Sequence, residues 1–269
     1  MKLLSLIILS AAIAPLGAQD PTIVADIDES FRLAGVRSML ESLPSHVNEM
    51  TSAAVAQFPR DQRRQFEPEI RDVSLRFLDA DSFYRQLRSY FAKHYDAAHM
   101  NTFLALERTS AYRTMRRQEE LAQTAAAQAA RRRFEMNLKS DPPSPARVAL
   151  LQQLDKTRGS SDLEVKMVTG ILNAMSDGLG AQMPADLEAQ SAAFKEKIRP
   201  ILSGNVLIQN LYAYRNASDT DLADYVAAAE QKDVAWFNRT LQSAVVAVAA
   251  ERAARAGEYL KTKVSQRTN

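Results

Sequence analysis

The residues best suited to acid–base or metal chemistry are the histidines and the carboxylates near them. His94 and His99 stand five residues apart, with Asp96 between them and Glu107 further along the chain. Two histidines share one face of a helix when they are three or four residues apart, and a spacing of five does not bring them together. We therefore expect these histidines at helix ends and in turns, and the pattern predicts no metal ligand.

Nucleophilic and cofactor chemistry have equally little support in the sequence. The chain has no Cys, which excludes a thiolate nucleophile, a zinc–thiolate site and disulfides. No Gly-x-Ser-x-Gly or Ser-x-x-Lys pattern occurs. No glycine occurs between Gly35 and Gly159, which disfavours a phosphate-cradling loop over that stretch. The sequence predicts no catalytic residue and no cofactor, so an enzyme is disfavoured.

A run of arginines is the strongest charge feature. Region 113–139 has seven Lys/Arg and three Glu, so its net charge is 7 − 3 = +4, and it contains Arg131, Arg132, Arg133 and Arg116. Such a surface can contact an anionic polymer or phosphate headgroups. The favoured interpretation is a solvated face whose aliphatic stems cover apolar surface. The whole chain carries only +2, which gives no nucleic-acid footprint.

The N-terminus has the pattern of an export signal. Lys2 precedes a mostly apolar stretch over 3–14, and small residues around Ala18 suit cleavage. The apolar stretch is too short to span a bilayer, which takes about 20 residues. We predict a signal peptide over 1–18, cleavage after Ala18, and a periplasmic or secreted bacterial protein without a transmembrane anchor in its mature form. The lack of Cys favours a bacterial periplasm.

The remaining chain is predicted to be all-α. Helix formers are frequent, strand alternation is missing, and proline punctuates the helices. We expect a first helix from about Ser30, with an apolar stripe that continues to Leu43, and helices capped by Asp61, Asp79 and Asp96. A long Ala/Arg-rich helix is expected over 110–139.

The second half of the chain is predicted to repeat the plan of the first. The segment from Asp96 aligns with the segment from Ser218 at an offset of 122, and both halves are predicted to end in a long Ala-rich helix, the second over about 234–263. The predicted organisation is helical repeat 1 over 19–140, a Pro-rich linker over 141–146, and helical repeat 2 over 147–269.

The stretch Leu211–Tyr225, with its capped turn, its Asp-Leu pair and an aromatic three residues on, resembles the "domain of unknown function 2059" family of bacterial exported proteins. The resemblance is clearest over 205–260. It implies a helical protein of the cell envelope without an established activity, and it supplies no catalytic residue.

Aromatic residues are expected to pack between the helices of each repeat. The best candidates for this seam are Tyr90, Phe103, Tyr212 and Tyr225. Trp236 and Phe237 open the last helix, either as part of a ligand groove or, as favoured, as core residues. Their predicted neighbours are Tyr212, Tyr214, Leu222 and Tyr225.

These observations favour an exported, non-enzymatic binding or protein-interaction module. Its partner is expected to be an envelope protein or a small ligand rather than nucleic acid. Weak contact with an anionic surface through Arg131, Arg132 and Arg133 is compatible with the pattern, as is self-association through alanine stripes. The alternatives are a hydrolase whose site is assembled across the two repeats and a holdase-like chaperone.

Overall fold

A computed structural model describes residues 20–43, 72, 76–179 and 187–268, and within these ranges the chain is helical without strands. The all-α prediction is confirmed. The predicted signal peptide lies outside the described residues, and so does most of the helix predicted after Asp61. The helices are α1 (Pro21–Leu33), α2 (36–43), α3 (Ala80–Ala92), α4 (Ala97–Glu107), α5 (Ser110–Gln123), α6 (Ala125–Asn137), α7 (Pro145–Arg158), α8 (Ser160–Leu179), α9 (Leu187–Ala213), α10 (Asp219–Ala229) and α11 (Lys232–Thr268).

Two of the predicted N-caps start helices at the expected residues. The Asp79 carboxylate accepts a hydrogen bond from the Ser82 backbone N–H at 2.7 Å, and the Asp96 carboxylate accepts one from the His99 N–H at 3.0 Å. Each bond satisfies one of the backbone donors that the first turn leaves unpaired. The predictions for α3 and α4 are thereby confirmed.

Two predicted helices are interrupted. The first helix begins at Pro21 rather than near Ser30, and it ends at Leu33 before a turn in which Gly35 has φ +68°. The long helix expected over 110–139 is divided at Thr124, whose ψ of 152° is extended. Because the Thr124 side chain accepts from the Ala127 N–H, it acts as the N-cap of α6.

The first core lies among α1, α2, α3, α4 and α11. Its largest fully buried side chains include Phe31, Phe83, Phe91, Phe103 and Phe237. Full burial of one such ring stabilises the fold by about 1.5–3 kcal/mol. This core is therefore a conventional apolar interior dominated by aromatic rings.

The second core lies among α5, α6, α7, α9 and α10. It contains the fully buried Leu151, Leu154 and Leu222. It also contains Tyr212 and Tyr225, which were predicted to pack between helices, together with Tyr214. It differs from the first core because its buried rings carry hydroxyl groups. Those hydroxyls need hydrogen-bond partners in the interior.

Each core takes residues from both sides of the predicted linker. Val234 and Phe237 of α11, in the C-terminal half, close the first core. Tyr112 and Met115 of α5, in the N-terminal half, close the second core. We call α5 and α11 the closing helices. Helix α5, which follows α4, packs on α9 and α10 of the C-terminal half as well as on α6. Helix α11, which follows α10, packs most extensively along α8 of its own half and also on α3 and α4 of the N-terminal half.

Trp236 lies near the start of α11, where this helix contacts the first core. Its ring lies 5.6 Å from that of Phe91 and 5.3 Å from that of His99, and Phe237 stacks on Phe103 at 3.9 Å. The prediction that these residues pack within the core is confirmed for Phe237, which is fully buried. The predicted neighbours from the second half were wrong, because α11 crosses to the first core.

Helix bounds recur at a nearly constant offset along the chain. Helices α4 and α10 both have 11 residues and begin 219 − 97 = 122 residues apart. Helices α1 and α7 both begin with proline, 145 − 21 = 124 residues apart. Each is followed by a glycine with positive φ, Gly35 at +68° and Gly159 at +65°. A positive φ is a conformation that glycine adopts without strain.

Candidate functional site

The structure does not bring together the histidines and Glu107 that the sequence singled out. His94 Nδ1 lies 2.9 Å from a backbone oxygen one turn earlier. His99 Nδ1 lies 2.7 Å from the Asp233 carboxylate at the start of α11. Glu107 points into the second core, where it pairs with Arg116. Among the described residues, no three acidic or histidine side chains are grouped as metal ligands would be.

The densest polar arrangement in the described structure surrounds Glu119, inside the second core. Arg158 Nη1 lies 2.8 Å from the Glu119 carboxylate, and Arg116 Nη1 lies 3.0 Å from it. The hydroxyl groups of Tyr225, at 2.8 Å, and of Tyr214 donate to the same carboxylate. Tyr225 also accepts a hydrogen bond from Arg158 at 2.5 Å. Glu119 is thus held by four donors.

A second carboxylate completes this arrangement. Glu107 is fully buried, and its Oε1 lies 2.7 Å from Arg116 Nη2 and 3.2 Å from Arg116 Nε. Two arginines are therefore matched by two glutamates, with no residual charge. We call Glu107, Arg116, Glu119, Arg158, Tyr214 and Tyr225 the neutral cluster. A buried ion that is paired and hydrogen-bonded avoids most of the cost of an isolated buried charge.

The protonation states of the cluster are fixed by its own members. Burial alone would raise the pKa of Glu119, but Arg158, Arg116 and the Tyr214 hydrogen bond lower it to about 2. Burial and the Glu119 charge raise the pKa of Tyr214 far above its ordinary value. Burial likewise opposes the charge of Arg158, but Glu119 and the tyrosines raise its pKa well above its ordinary value. Near neutral pH, these three groups therefore neither release nor take up protons.

Several helices position the cluster. Arg116 and Glu119 lie three residues apart on α5, so both face the second core. Arg158 is the last residue of α7, directly before the Gly159 turn. Tyr214 follows the end of α9, and Tyr225 lies within α10. The cluster therefore joins α5 and Glu107, the last residue of α4, to α7, α10 and the turn after α9 in the C-terminal half.

The sequence did not reveal this cluster. Arg116 was assigned to a basic surface, yet only 13% of its side chain is exposed. The spacing of Arg116 and Glu119 was a visible signal for an ion pair. Arg158 and the tyrosines are about 40 to 110 residues further along, and only the packing of α7, α9 and α10 against α5 brings them close.

One hydroxyl group beside the cluster has no partner. Tyr112 is 3% exposed, and among the described residues nothing is within hydrogen-bond distance of its hydroxyl oxygen. Its ring lies 4.7 Å from that of Tyr225. An unpaired buried hydroxyl costs about 1–3 kcal/mol. The unpaired Tyr112 hydroxyl therefore offsets part of the stability that the buried ring contributes.

A groove of about 200 Å³ opens between α7 and α9. It is lined by Leu151, Gln152, Asp155, Ser203, Gly204 and Leu207. Asp155 accepts hydrogen bonds from the Ser161 N–H at 2.9 Å and from the Ser161 hydroxyl at 2.5 Å. Burial and the nearby Asp155 charge raise the pKa of Glu164 to about 7. Glu164 is therefore a carboxyl group that titrates near neutral pH.

The predicted arginine run lies on α6. Arg132 and Arg133 are exposed, whereas Arg131 is partly covered. Among the described residues, no helix combines the length and the apolar composition that crossing a bilayer requires.

No protein-family model matches the sequence, and no curated protein or solved structure matches it either.

Proposed function

We propose that this chain is an exported, non-enzymatic binding or protein-interaction module of the bacterial cell envelope. The observation that carries the proposal is the neutral cluster. Its charged groups form ion pairs with one another. The pKa of Glu119 is about 2, far below the range in which a side chain transfers protons near neutral pH. The cluster thus stabilises a rigid helical scaffold, and the surface is left to contact a partner.

The proposed location rests on the N-terminal sequence. Lys2, the apolar stretch and the small residues before Gln19 follow the order of a secretory signal. The resemblance of 205–260 to the "domain of unknown function 2059" family supports the same compartment. In this proposal the mature protein begins after Ala18.

We further propose that the two halves are repeats that exchanged their closing helices. The 122-residue offset between α4 and α10 and the 124-residue offset between α1 and α7 support this proposal. Exchange of an identical element between copies is a low-cost way to join them. A scaffold in which each core needs a helix of the other half cannot lose one half and keep the second.

A hydrolase is the second candidate, and one observation favours it. Asp155 lines the groove. Burial and the charge of Asp155 together raise the pKa of Glu164 to about 7. Two carboxyl groups with different environments are a common acid–base arrangement. A panel of ester, phosphate, peptide and glycoside substrates tests this candidate. Turnover that Glu164→Gln abolishes and Asp162→Asn, an exposed neighbour, leaves intact would favour the hydrolase over the binding module.

The location is tested by expressing the full chain and measuring the intact mass in the periplasmic and cytoplasmic fractions. The proposal expects periplasmic protein that begins at Gln19 and turns over no substrate of the panel. Cytoplasmic protein that retains Met1–Ala18 would contradict the export part of the proposal.

A further inference from the structure

The exposed sides of the consecutive helices α5 and α6 combine arginines with large apolar side chains. Leu121 on α5 is 54% exposed and Met136 on α6 is 65% exposed. Arg117 precedes Leu121 by four residues, and Arg133 precedes Met136 by three, so each pair lies on one face of its helix. Transfer of an apolar side chain of this size from water to an apolar environment is favourable by about 1.5–3 kcal/mol.

The opposite sides of the same helices are buried. Tyr112, Met115 and Ala122 on α5 and Ala127 on α6 belong to the second core. Because the buried residues fix the rotation of each helix, the arginine and apolar residues point away from the protein. We call the exposed residues Arg113, Arg117, Leu121, Arg133 and Met136 the basic face.

Positive charge is concentrated here. Outside the neutral cluster, region 113–139 has six basic residues and two acidic ones, which gives 6 − 2 = +4. The cluster members Arg116 and Glu119 cancel, so the rest of the chain carries 2 − 4 = −2. Arg113, Arg117 and Arg133 make no ion pair or hydrogen bond with other residues in the described part of the chain. Their charges are available to an anionic partner.

We propose that the basic face binds the surface of an anionic phospholipid bilayer. The arginines would contact lipid phosphates, and Leu121 and Met136 would enter the boundary between headgroups and acyl chains. A bilayer surface accepts both kinds of side chain, as basic amphipathic helices show. A soluble polyanion would pair with the arginines and leave the apolar side chains in water. The mixture of residues therefore favours a bilayer.

This inference names a partner for the proposed envelope protein, and it is tested without reference to export. The purified protein is sedimented with vesicles of phosphatidylglycerol and phosphatidylcholine in equal amounts, and with vesicles of phosphatidylcholine alone. Binding is expected only to the anionic vesicles, and it should weaken as salt is added. Each arginine near the surface strengthens binding about fivefold, so R117Q/R133Q should lower the partition coefficient about 25-fold.

The apolar contribution is tested separately. L121S/M136S keeps every charge and should lower the partition coefficient at least tenfold, because both side chains leave the headgroup boundary. R85Q/R239Q is the matched control, since both arginines are exposed on helices outside the basic face. It should change the coefficient less than twofold. Circular dichroism of each variant checks that the fold is kept.

Three results would overturn the inference. The first is no binding to anionic vesicles at low salt. The second is a decrease of the partition coefficient in R85Q/R239Q equal to that in R117Q/R133Q, which would mean that the protein is attracted to the vesicles by its overall charge and not through the basic face. The third is binding to soluble polyphosphate at similar strength, unaffected by L121S/M136S, which would assign the face to a polyanion. Failure here leaves the intact-mass test of export untouched, so the two proposals fail independently.

Discussion

Removal of the Glu119 charge tests the role of the neutral cluster. In Glu119→Gln, two buried arginines keep a single carboxylate, Glu107, and four hydrogen-bond donors lose a charged acceptor. The pKa of Glu119 falls from an ordinary 4.5 to about 2 in the folded protein, which corresponds to about 3 kcal/mol of stability. Breaking a buried ion pair by removing one partner typically costs about 3–5 kcal/mol. Both routes predict a loss of at least about 3 kcal/mol.

The assay is urea unfolding at pH 7, followed by far-ultraviolet circular dichroism. Glu120→Gln is the matched control, because Glu120 is the next residue of the same helix and is exposed. The control should change the free energy of unfolding by less than about 0.5 kcal/mol. If Glu119→Gln costs no more than about 1 kcal/mol beyond Glu120→Gln, the cluster does not stabilise the second core and the reasoning is wrong.

The same carboxylate predicts a pH dependence with a definite sign. A pKa that is lower in the folded state contributes stability above the unfolded value, and this stability is lost as pH falls through the folded value. The contribution of Glu119 should therefore be complete above about pH 4.5 and disappear by about pH 2. Because glutamine does not titrate, the free energy of unfolding of Glu119→Gln should fall less between about pH 4.5 and pH 2 than that of the unmodified protein.

Further expected outcomes concern single side chains and the separate halves of the chain. Gly159→Ala should cost about 1 kcal/mol or more by thermal unfolding, because φ is +65° and the Gln242 side chain lies 3.2 Å from the added carbon. Gly170 lies within α8, and no atom of the described residues beyond the neighbouring helix backbone lies within 4 Å of the Cβ that Gly170→Ala would add, so this substitution should instead stabilise the folded protein by about 0.5–1 kcal/mol. Tyr225→Phe should cost about 1.5–3 kcal/mol, whereas Tyr112→Phe, which removes an unpaired hydroxyl, should be neutral or stabilising; equal losses would refute this assignment. If the chain is divided in the Pro-rich linker, neither half should fold alone, and the two should fold when mixed. Heteronuclear NMR spectra of each half alone and of the mixture would test this.

Local features of the fold were predictable because they depend on a few neighbouring residues. Asp79 and Asp96 are N-caps that the sequence reveals, since a short acceptor before an apolar stripe satisfies the first backbone donors. The break at Thr124 had the same signal, a threonine before an alanine run, but helix propensity on both sides hid it. Propensity is a weak guide where a cap competes with it.

The site depended on long-range packing, which the sequence did not specify. Trp236 was expected beside the aromatics of its own half, but α11 crosses to Phe91 and His99. Arg158 and Glu119 form an ion pair although they are 158 − 119 = 39 residues apart. The residues next to each of them do not indicate that the two side chains meet. Hydrophobic periodicity identifies the buried face of a helix without naming the helix that covers it.

The central claim, a binding module of the cell envelope, is tested most directly by photo-crosslinking in living cells. A benzophenone amino acid replaces Met136 on the basic face or, in the control, the exposed Arg239 of α11. We expect an adduct with an envelope component at position 136, carrying the mass of a phospholipid, and none at position 239. No adduct at position 136, or the same adducts at both positions, would contradict it.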